Sequence, residues 1–174
     1  MLQDIREVLI SKEAIEAKTK ELAERISRDY KGKDLLVVGV LKGSVIFASE
    51  LIKNITIPCE IDFMAVSSYG SSSETTGVVR ILKDLDSEIS RKHILIVEDI
   101  VDSGVTLSYL LNYLKTRNAS SVEIASLLTK PSRRKVDIDC KYVGFETPDE
   151  FLVGYGLDYA EKYRNLPFIG ILKR

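Results

Sequence analysis

The chain has 174 residues, of which 45% are hydrophobic and 29% charged, with a formal net charge of −1. That length fits one domain, which can bury roughly 70% of its unfolded surface without staples. The charge balance gives no general attraction for nucleic acid or anionic lipid, so any basic site must be local. The longest apolar run, Leu35 to Leu41, is far short of a membrane span.

Near the start, Asp4, Arg6 and Glu7 stand where a signal peptide would be apolar, which predicts a cytoplasmic protein. Ser11 is placed to cap a helix running to about Tyr30, with Ile15, Thr19, Leu22 and Ile26 on one stripe. Gly32 ends it. Leu35 to Val40 is apolar on both faces, as a central parallel strand must be. It leads into Leu41-Lys42-Gly43-Ser44 and an apolar helix to about Lys53. This loop holds the Gly, Lys and Ser of a phosphate binder in the wrong order for a P-loop, so alone it reads as a basic turn.

Cys59 to Ser67 reads as a strand with Ile61, Phe63 and Ala65 on one face, and Val78 to Lys83 as its antiparallel partner. Cys59 and Cys140 make no Cys-x-x-Cys pair and are expected to be free thiols in a reducing compartment. The connection from Ser68 to Gly77 is small, polar and aperiodic; it is either a plain hairpin or a lid. His93, the only histidine, directly precedes an apolar strand with no evident partner, which argues against histidine catalysis.

The most informative stretch is 94–106. Ile94 to Val97 is a buried strand pattern that delivers Glu98 and Asp99 to its carboxyl end, where ligands bind in open α/β sheets. There Gly104 permits close backbone approach, and Ser103 and Thr106 offer hydroxyls. The helix opening near Thr106 presents unpaired N–H groups, so an anion should sit there. Acids beside an anion site make sense if the ligand is a sugar phosphate whose hydroxyls and divalent cation want acceptors.

Further along, residues 106–116 read as a helix and Val122 to Thr129 as another buried strand, with Lys130-Pro131 at the same sheet edge as Glu98. Tyr142 to Glu146 is a strand, 147–150 a turn, 151–158 an extended segment bending back, and Phe168 to Leu172 a short closing strand. The expected fold is α/β. It has a mostly parallel, doubly wound sheet (core about 34–145), and a small hood from about 146–174 plus N-terminal residues covers one edge.

The string Val97-Glu98-Asp99-Ile100-Val101-Asp102-Ser103-Gly104-Val105-Thr106 resembles the phosphoribosyl pyrophosphate signature of type I phosphoribosyltransferases. Lys130, Val143-Gly144-Phe145-Glu146, Pro148-Asp149, Phe151, Val153-Gly154-Tyr155, Leu157-Asp158-Tyr159 and Arg164 resemble the C-terminal pattern of its hypoxanthine-guanine members. The resemblance implies transfer of a 5-phosphoribosyl group to N9 of hypoxanthine or guanine, giving IMP or GMP and pyrophosphate, with Mg2+ as cofactor.

It further implies that Leu41, Lys42 and Gly43 meet the pyrophosphate, often beside a cis peptide before the lysine, and that Ser68-Tyr69 belong to a lid over the donor. Glu98 and Asp99 would hold the ribose hydroxyls, partly through magnesium, and Asp158 a second magnesium. Asp102, Ser103, Gly104, Val105 and Thr106 would wrap the 5′-phosphate, with Asp102 also accepting a proton near N7, and Arg164 would bind pyrophosphate. Lys130 would donate to the 6-oxo group, Phe151 stack on the purine, and Leu152 meet its Watson–Crick edge through its backbone. A homodimer or homotetramer is implied. Ser44 departs from the smaller residue common after Leu-Lys-Gly. Two alternatives remain: a nucleotide-sensing regulator that binds nucleic acid, which would need a basic face, and a pyrimidine transferase, disfavoured by Lys130 with Phe151.

Overall fold

Local sequence signals set the element boundaries in this computed structural model, which describes residues 1–68 and 79–174. Tyr69 and nearly all of the expected lid lie outside the described residues, as does the Ser68 side chain. The order is β1 (Ile5–Ile10), α1 (Lys12–Asp29), β2 (Leu35–Leu41), α2 (Val45–Asn54), β3 (Glu60–Ser68) and β4 (Val79–Lys83). It continues with β5 (His93–Val101), α3 (Val105–Lys115), β6 (Ser121–Thr129), β7 (Tyr142–Glu146), β8 (Leu152–Val153) and β9 (Ile169–Leu172). Ser11 caps α1 as expected, its Oγ accepting from Ala14 N at 3.1 Å.

The main sheet has the order β4-β3-β2-β5-β6-β7, all parallel except the edge strand β4. Period-two alternation on its central strands divides the core in two. Leu35, Val37, Leu95 and Val97 pack with Ile15, Leu22, Ile26, Phe47 and Leu51 of α1 and α2. Leu36, Val38, Ile94 and Ile96 pack with Leu107, Leu110 and Leu114 of α3 on the opposite face. Helices on both faces are what a strand apolar on both faces requires. Each fully buried Leu or Phe here contributes roughly 1.5–3 kcal/mol of transfer free energy.

On β3 the more buried face is Asp62 and Met64, while Ile61 is 40% exposed. Asp62 is tolerated there because the N–H groups of Phe63, Asp86 and Ser87 donate to it at 2.7, 2.9 and 3.1 Å. Burial alone would raise its carboxyl, but those backbone donors outweigh burial and hold it below the ordinary range.

The hood is a separate three-stranded antiparallel sheet, β1-β9-β8. Strand β1 was not expected from the sequence. Its apolar alternation is broken by Arg6-Glu7, and its pairing with β9 shifts register twice, between Ile5/Glu7 and Val8/Ile10. Ile10, Leu152, Tyr155, Ile169 and Ile171 join the core layer under α1 and α2, so hood and main sheet share one apolar interior. Among the described residues no helix is long and apolar enough to cross a membrane.

Candidate functional site

The carboxyl edge of the main sheet collects the chemistry. Strand β5 runs on to Val101, past the expected end at Val97, because β6 keeps pairing with it through Val101 and Thr129. Glu98 and Asp99 are therefore the sixth and seventh residues of a nine-residue strand, with their carboxyl groups close enough to hydrogen-bond to each other. Glu98 lines a cavity of about 200 Å³ together with Ile100, Asp102, Ser103, Gly104 and Thr106, on the α3 side. Asp99 lies against Gly43, on the α2 side.

Burial pushes the Glu98 carboxyl well above its ordinary value, and the neighbouring Asp99 charge adds to the effect. Burial also raises Asp99, against the Ile100 N–H that donates to its Oδ1 at 2.8 Å. Among the described residues neither acid forms an ion pair. Glu98 is buried and Asp99 half-buried, with the Arg164 charge only partly offsetting the burial of Asp99, a costly arrangement unless a cation arrives with the ligand.

That donor set fits magnesium, which is held by one or two carboxylates with water and substrate phosphate completing its shell. Among the described residues no three metal-ligating side chains gather, so the chain alone does not build a full cage. Asp158, the other expected ligand, stands apart in the hood, where Arg164 Nη2 lies 3.3 Å from its Oδ1 and Glu161 N donates to its Oδ2 at 2.8 Å.

The loop after β5 turns sharply into α3. Gly104, at φ +82°, is the N-cap of α3, a left-handed position suited to glycine. Thr106 and Leu107, in the first turn, have no intrahelical acceptors for their N–H groups. Ser103 Oγ accepts from Val105 N at 3.3 Å. The loop is braced from behind by the segment following β6: Lys135 N and Val136 N donate to Ser103 O at 2.9 and 3.1 Å. Arg134 donates to Asp102 O at 3.2 Å and to Thr129 Oγ1 at 2.8 Å. The Asp102 carboxylate is exposed and has no partner among the described residues.

Lys130 begins this segment. Its N donates to Val101 O at 3.0 Å, which puts it beside Asp102, and its side chain is only 9% exposed with no acid paired to it among the described residues. In the hood, Leu172 N donates to Phe151 O at 3.0 Å while Leu152 pairs with Ile171. The Phe151 ring is half-buried and meets Tyr159 edge-on, centroids 5.4 Å apart.

The Leu41–Lys42 peptide is cis, and the loop it opens touches the hood directly. A Cβ on Gly156, at φ +101°, would lie 2.0 Å from Gly43 O. Gly156 N donates to Arg164 O at 2.9 Å, and Arg164 Nη1 donates back to Gly156 O at 2.6 Å. Lys42 Nζ lies 3.0 Å from Glu161 Oε2, and Arg164 Nη2 lies 3.3 Å from Glu161 Oε1. Pairing with Lys42 holds the Glu161 carboxyl below its ordinary range. Ser44 is fully buried and its hydroxyl finds no partner among the described residues.

The structure thus brings together Lys42, Gly43, Glu98, Asp99, Asp102–Thr106 and Lys130 at the sheet edge, with Phe151, Leu152, Asp158 and Arg164 in the hood. Sequence reading missed Arg134, Gly156 and Glu161. Arg134 is hidden in the basic run Arg133-Arg134-Lys135, and Glu161 is one acid in a polar turn; neither carries a local signal. Gly156, in Gly154-Tyr155-Gly156, was legible as a turn glycine.

A mostly parallel sheet with a glycine-capped loop, two acids at the same edge and a hood beside it is the frame of a transferase domain. The chain belongs to the phosphoribosyl transferase domain family, whose model matches residues 8–160. It is 54% identical over 173 residues to the hypoxanthine-guanine phosphoribosyltransferase of Bacillus subtilis, covering 99% of this chain and 96% of that one. A hypoxanthine phosphoribosyltransferase structure from Staphylococcus aureus superposes with a TM-score of 0.97 at 54% identity, covering 99% and 94%. One from Bacillus anthracis, a hypoxanthine-guanine phosphoribosyltransferase, does so at 0.93 and 50%, covering 97% and 99%.

Proposed function

We propose that the chain is a purine-salvage pentosyltransferase that moves the 5-phosphoribosyl group from phosphoribosyl pyrophosphate to N9 of hypoxanthine or guanine, giving IMP or GMP and pyrophosphate. The carrying observation is the position of Lys130. Lys130 is a buried residue with no acid paired to it among the described residues, and its backbone N–H donates to Val101 O on the strand that carries Glu98 and Asp99. Such a cation is suited to a carbonyl acceptor on a ligand held at that edge.

In this reading the N–H groups and hydroxyls of Ser103–Thr106 hold the 5′-phosphate, and Glu98 and Asp99 accept from the ribose hydroxyls. Lys42 and Arg164 take the pyrophosphate, with the Leu41 and Gly43 backbones shaping the loop. Phe151 stacks on the purine, the Leu152 backbone meets its edge, and Lys130 donates to O6. As the N9–C1′ bond forms and the bond from C1′ to pyrophosphate breaks, Asp102 receives the proton from N7. Magnesium, held by Glu98, Asp99 and Asp158 with the donor, would neutralise the leaving pyrophosphate. The transition state is oxocarbenium-like, so Lys42 and Arg164 act by stabilising charge on the departing group.

In this reading the core, about 34–145, supplies the phosphate loop, the ribose acids and Lys130, and the hood, from about 146 with the N-terminal residues, supplies Phe151, Leu152, Asp158 and Arg164. The free thiols Cys59 and Cys140 suit a reducing cytoplasm. Exposed Ile46, Ile61 and Leu82 suit burial in a homodimer or homotetramer. The test is incubation of the protein with hypoxanthine, phosphoribosyl pyrophosphate and Mg2+, scored by pyrophosphate release and IMP formation. Both should appear, and both should vanish with chelator; absence of turnover for every nucleobase tried would overturn the proposal.

A further inference from the structure

Glu161 stands where the leaving group goes. One carboxylate oxygen lies 3.0 Å from Lys42 Nζ and the other 3.3 Å from Arg164 Nη2, so a single side chain bridges two cations from different parts of the fold. Those are the two cations assigned above to pyrophosphate, and this inference rests on that reading. The turn is shaped to present the bridge: Ala160 and Glu161 are both in the left-handed region, at φ +51° and +65°. Non-glycine residues persist there only when surrounding contacts over-determine them. Here those contacts are the paired Tyr159–Lys162 backbone bonds, both 3.0 Å, and Glu161 N on Asp158 Oδ2 at 2.8 Å.

We propose that Glu161 is an internal surrogate for pyrophosphate, a displaceable anion that keeps the Lys42–Arg164 pair assembled between turnovers and competes with pyrophosphate for it. Without ligand both cations are already paired, Lys42 with Glu161 and Arg164 with Glu161 and Asp158. Arrival of the donor replaces Glu161 on both cations. After the bond from C1′ breaks, return of the Glu161 carboxylate to Lys42 and Arg164 opposes rebinding of the product. A carboxylate carries less charge than pyrophosphate and both members of the Lys42–Glu161 pair are about two-thirds exposed, so it is a weak competitor that the ligand can displace.

The test uses inorganic pyrophosphate with Mg2+ as probe, titrated into the wild-type protein, Glu161→Gln, Lys42→Met and the double variant by calorimetry at low salt. Glu161→Gln keeps size but removes the competing charge, so it should bind pyrophosphate about threefold tighter, with hypoxanthine KM unchanged. In the Lys42→Met background the gain should shrink, because one of the contested cations is gone. Salt should narrow the difference between wild type and Glu161→Gln.

A merely structural Glu161 predicts the reverse, looser binding in Glu161→Gln, and that result or an unchanged affinity overturns the inference while leaving the pyrophosphate site intact. Binding in neither wild type nor variant would remove the assignment of Lys42 and Arg164, and the inference with it.

Discussion

The carboxylate of Asp99 rests against the backbone of Gly43: a Cβ built there would come 2.0 Å from Asp99 Oδ2 and 2.7 Å from Cγ. On its other side Gly43 O is equally close to the position of a Cβ on Gly156. Strand β5, the loop after β2 and the hood therefore meet through two glycines with no room for a side chain between them. This contact sets the distance between the acids proposed to hold the ribose and the cations proposed to hold the pyrophosphate.

Gly43→Ala should therefore displace Asp99 or the loop and damage donor use far more than fold. We expect kcat/KM for phosphoribosyl pyrophosphate to fall at least about 100-fold, since misplacement of about 1 Å can cost that much. The melting temperature should stay within several degrees of wild type. Donor kinetics beside a thermal scan check this, and near-normal kinetics would show that the contact is not functional.

Arg134 should act as a positioning residue for the cradle. Its guanidinium ties Asp102 O, Thr129 Oγ1 and, at 3.5 Å, Ile138 O, so it fixes the loop without reaching the cavity itself. Arg134→Met should cost about 1–3 kcal/mol of stability by leaving those acceptors unpaired. It should also raise KM for the donor more than KM for hypoxanthine. An equal rise in both would mean a general loss of fold rather than a loosened phosphate loop.

Glu98 gives a pH dependence with a definite sign. Its carboxyl is raised by burial first and by Asp99 second, so the folded state holds its proton to higher pH than the unfolded chain does. Below the ordinary carboxylate value Glu98 is neutral in both states and burial costs nothing extra. As pH rises through the folded value, the unfolded state binds fewer protons and stability falls. Without metal, Glu98→Gln should melt close to wild type at about pH 4 and progressively above it toward neutrality. With Mg2+ and donor the order should reverse, because the amide supplies no charge. Melting curves across pH decide; a variant less stable than metal-free wild type at neutral pH contradicts the assignment.

The main sheet was legible because its strands are apolar on both faces and separated by capped helices: Leu35–Val40, Ile94–Val97 and Val122–Thr129 can do little else. The cradle was legible because its residues are adjacent in sequence, Asp102 to Thr106. Strand β1 was not, since its pairing with β9 joins the two ends of the chain through a bulged register. The bridge from Lys42 through Glu161 to Arg164 was not either. It depends on two turns brought together by tertiary packing, and a surface acid three residues before an arginine is indistinguishable from a solvated pair.

The account turns on Lys130, whose ammonium can only donate. Hypoxanthine and guanine offer a carbonyl at position 6 and adenine an amino group, which would leave the charge of a buried lysine facing a donor. Unpaired buried groups of this kind cost several kcal/mol, so discrimination should be large. The most direct measurement is kcat/KM of the wild-type protein for hypoxanthine, guanine and adenine with phosphoribosyl pyrophosphate and Mg2+. We predict comparable values for the two oxopurines and a value for adenine lower by at least about 100-fold, roughly 2.7 kcal/mol. Adenine turnover within about tenfold of hypoxanthine, roughly 1.4 kcal/mol, would contradict the claim that Lys130 reads the base.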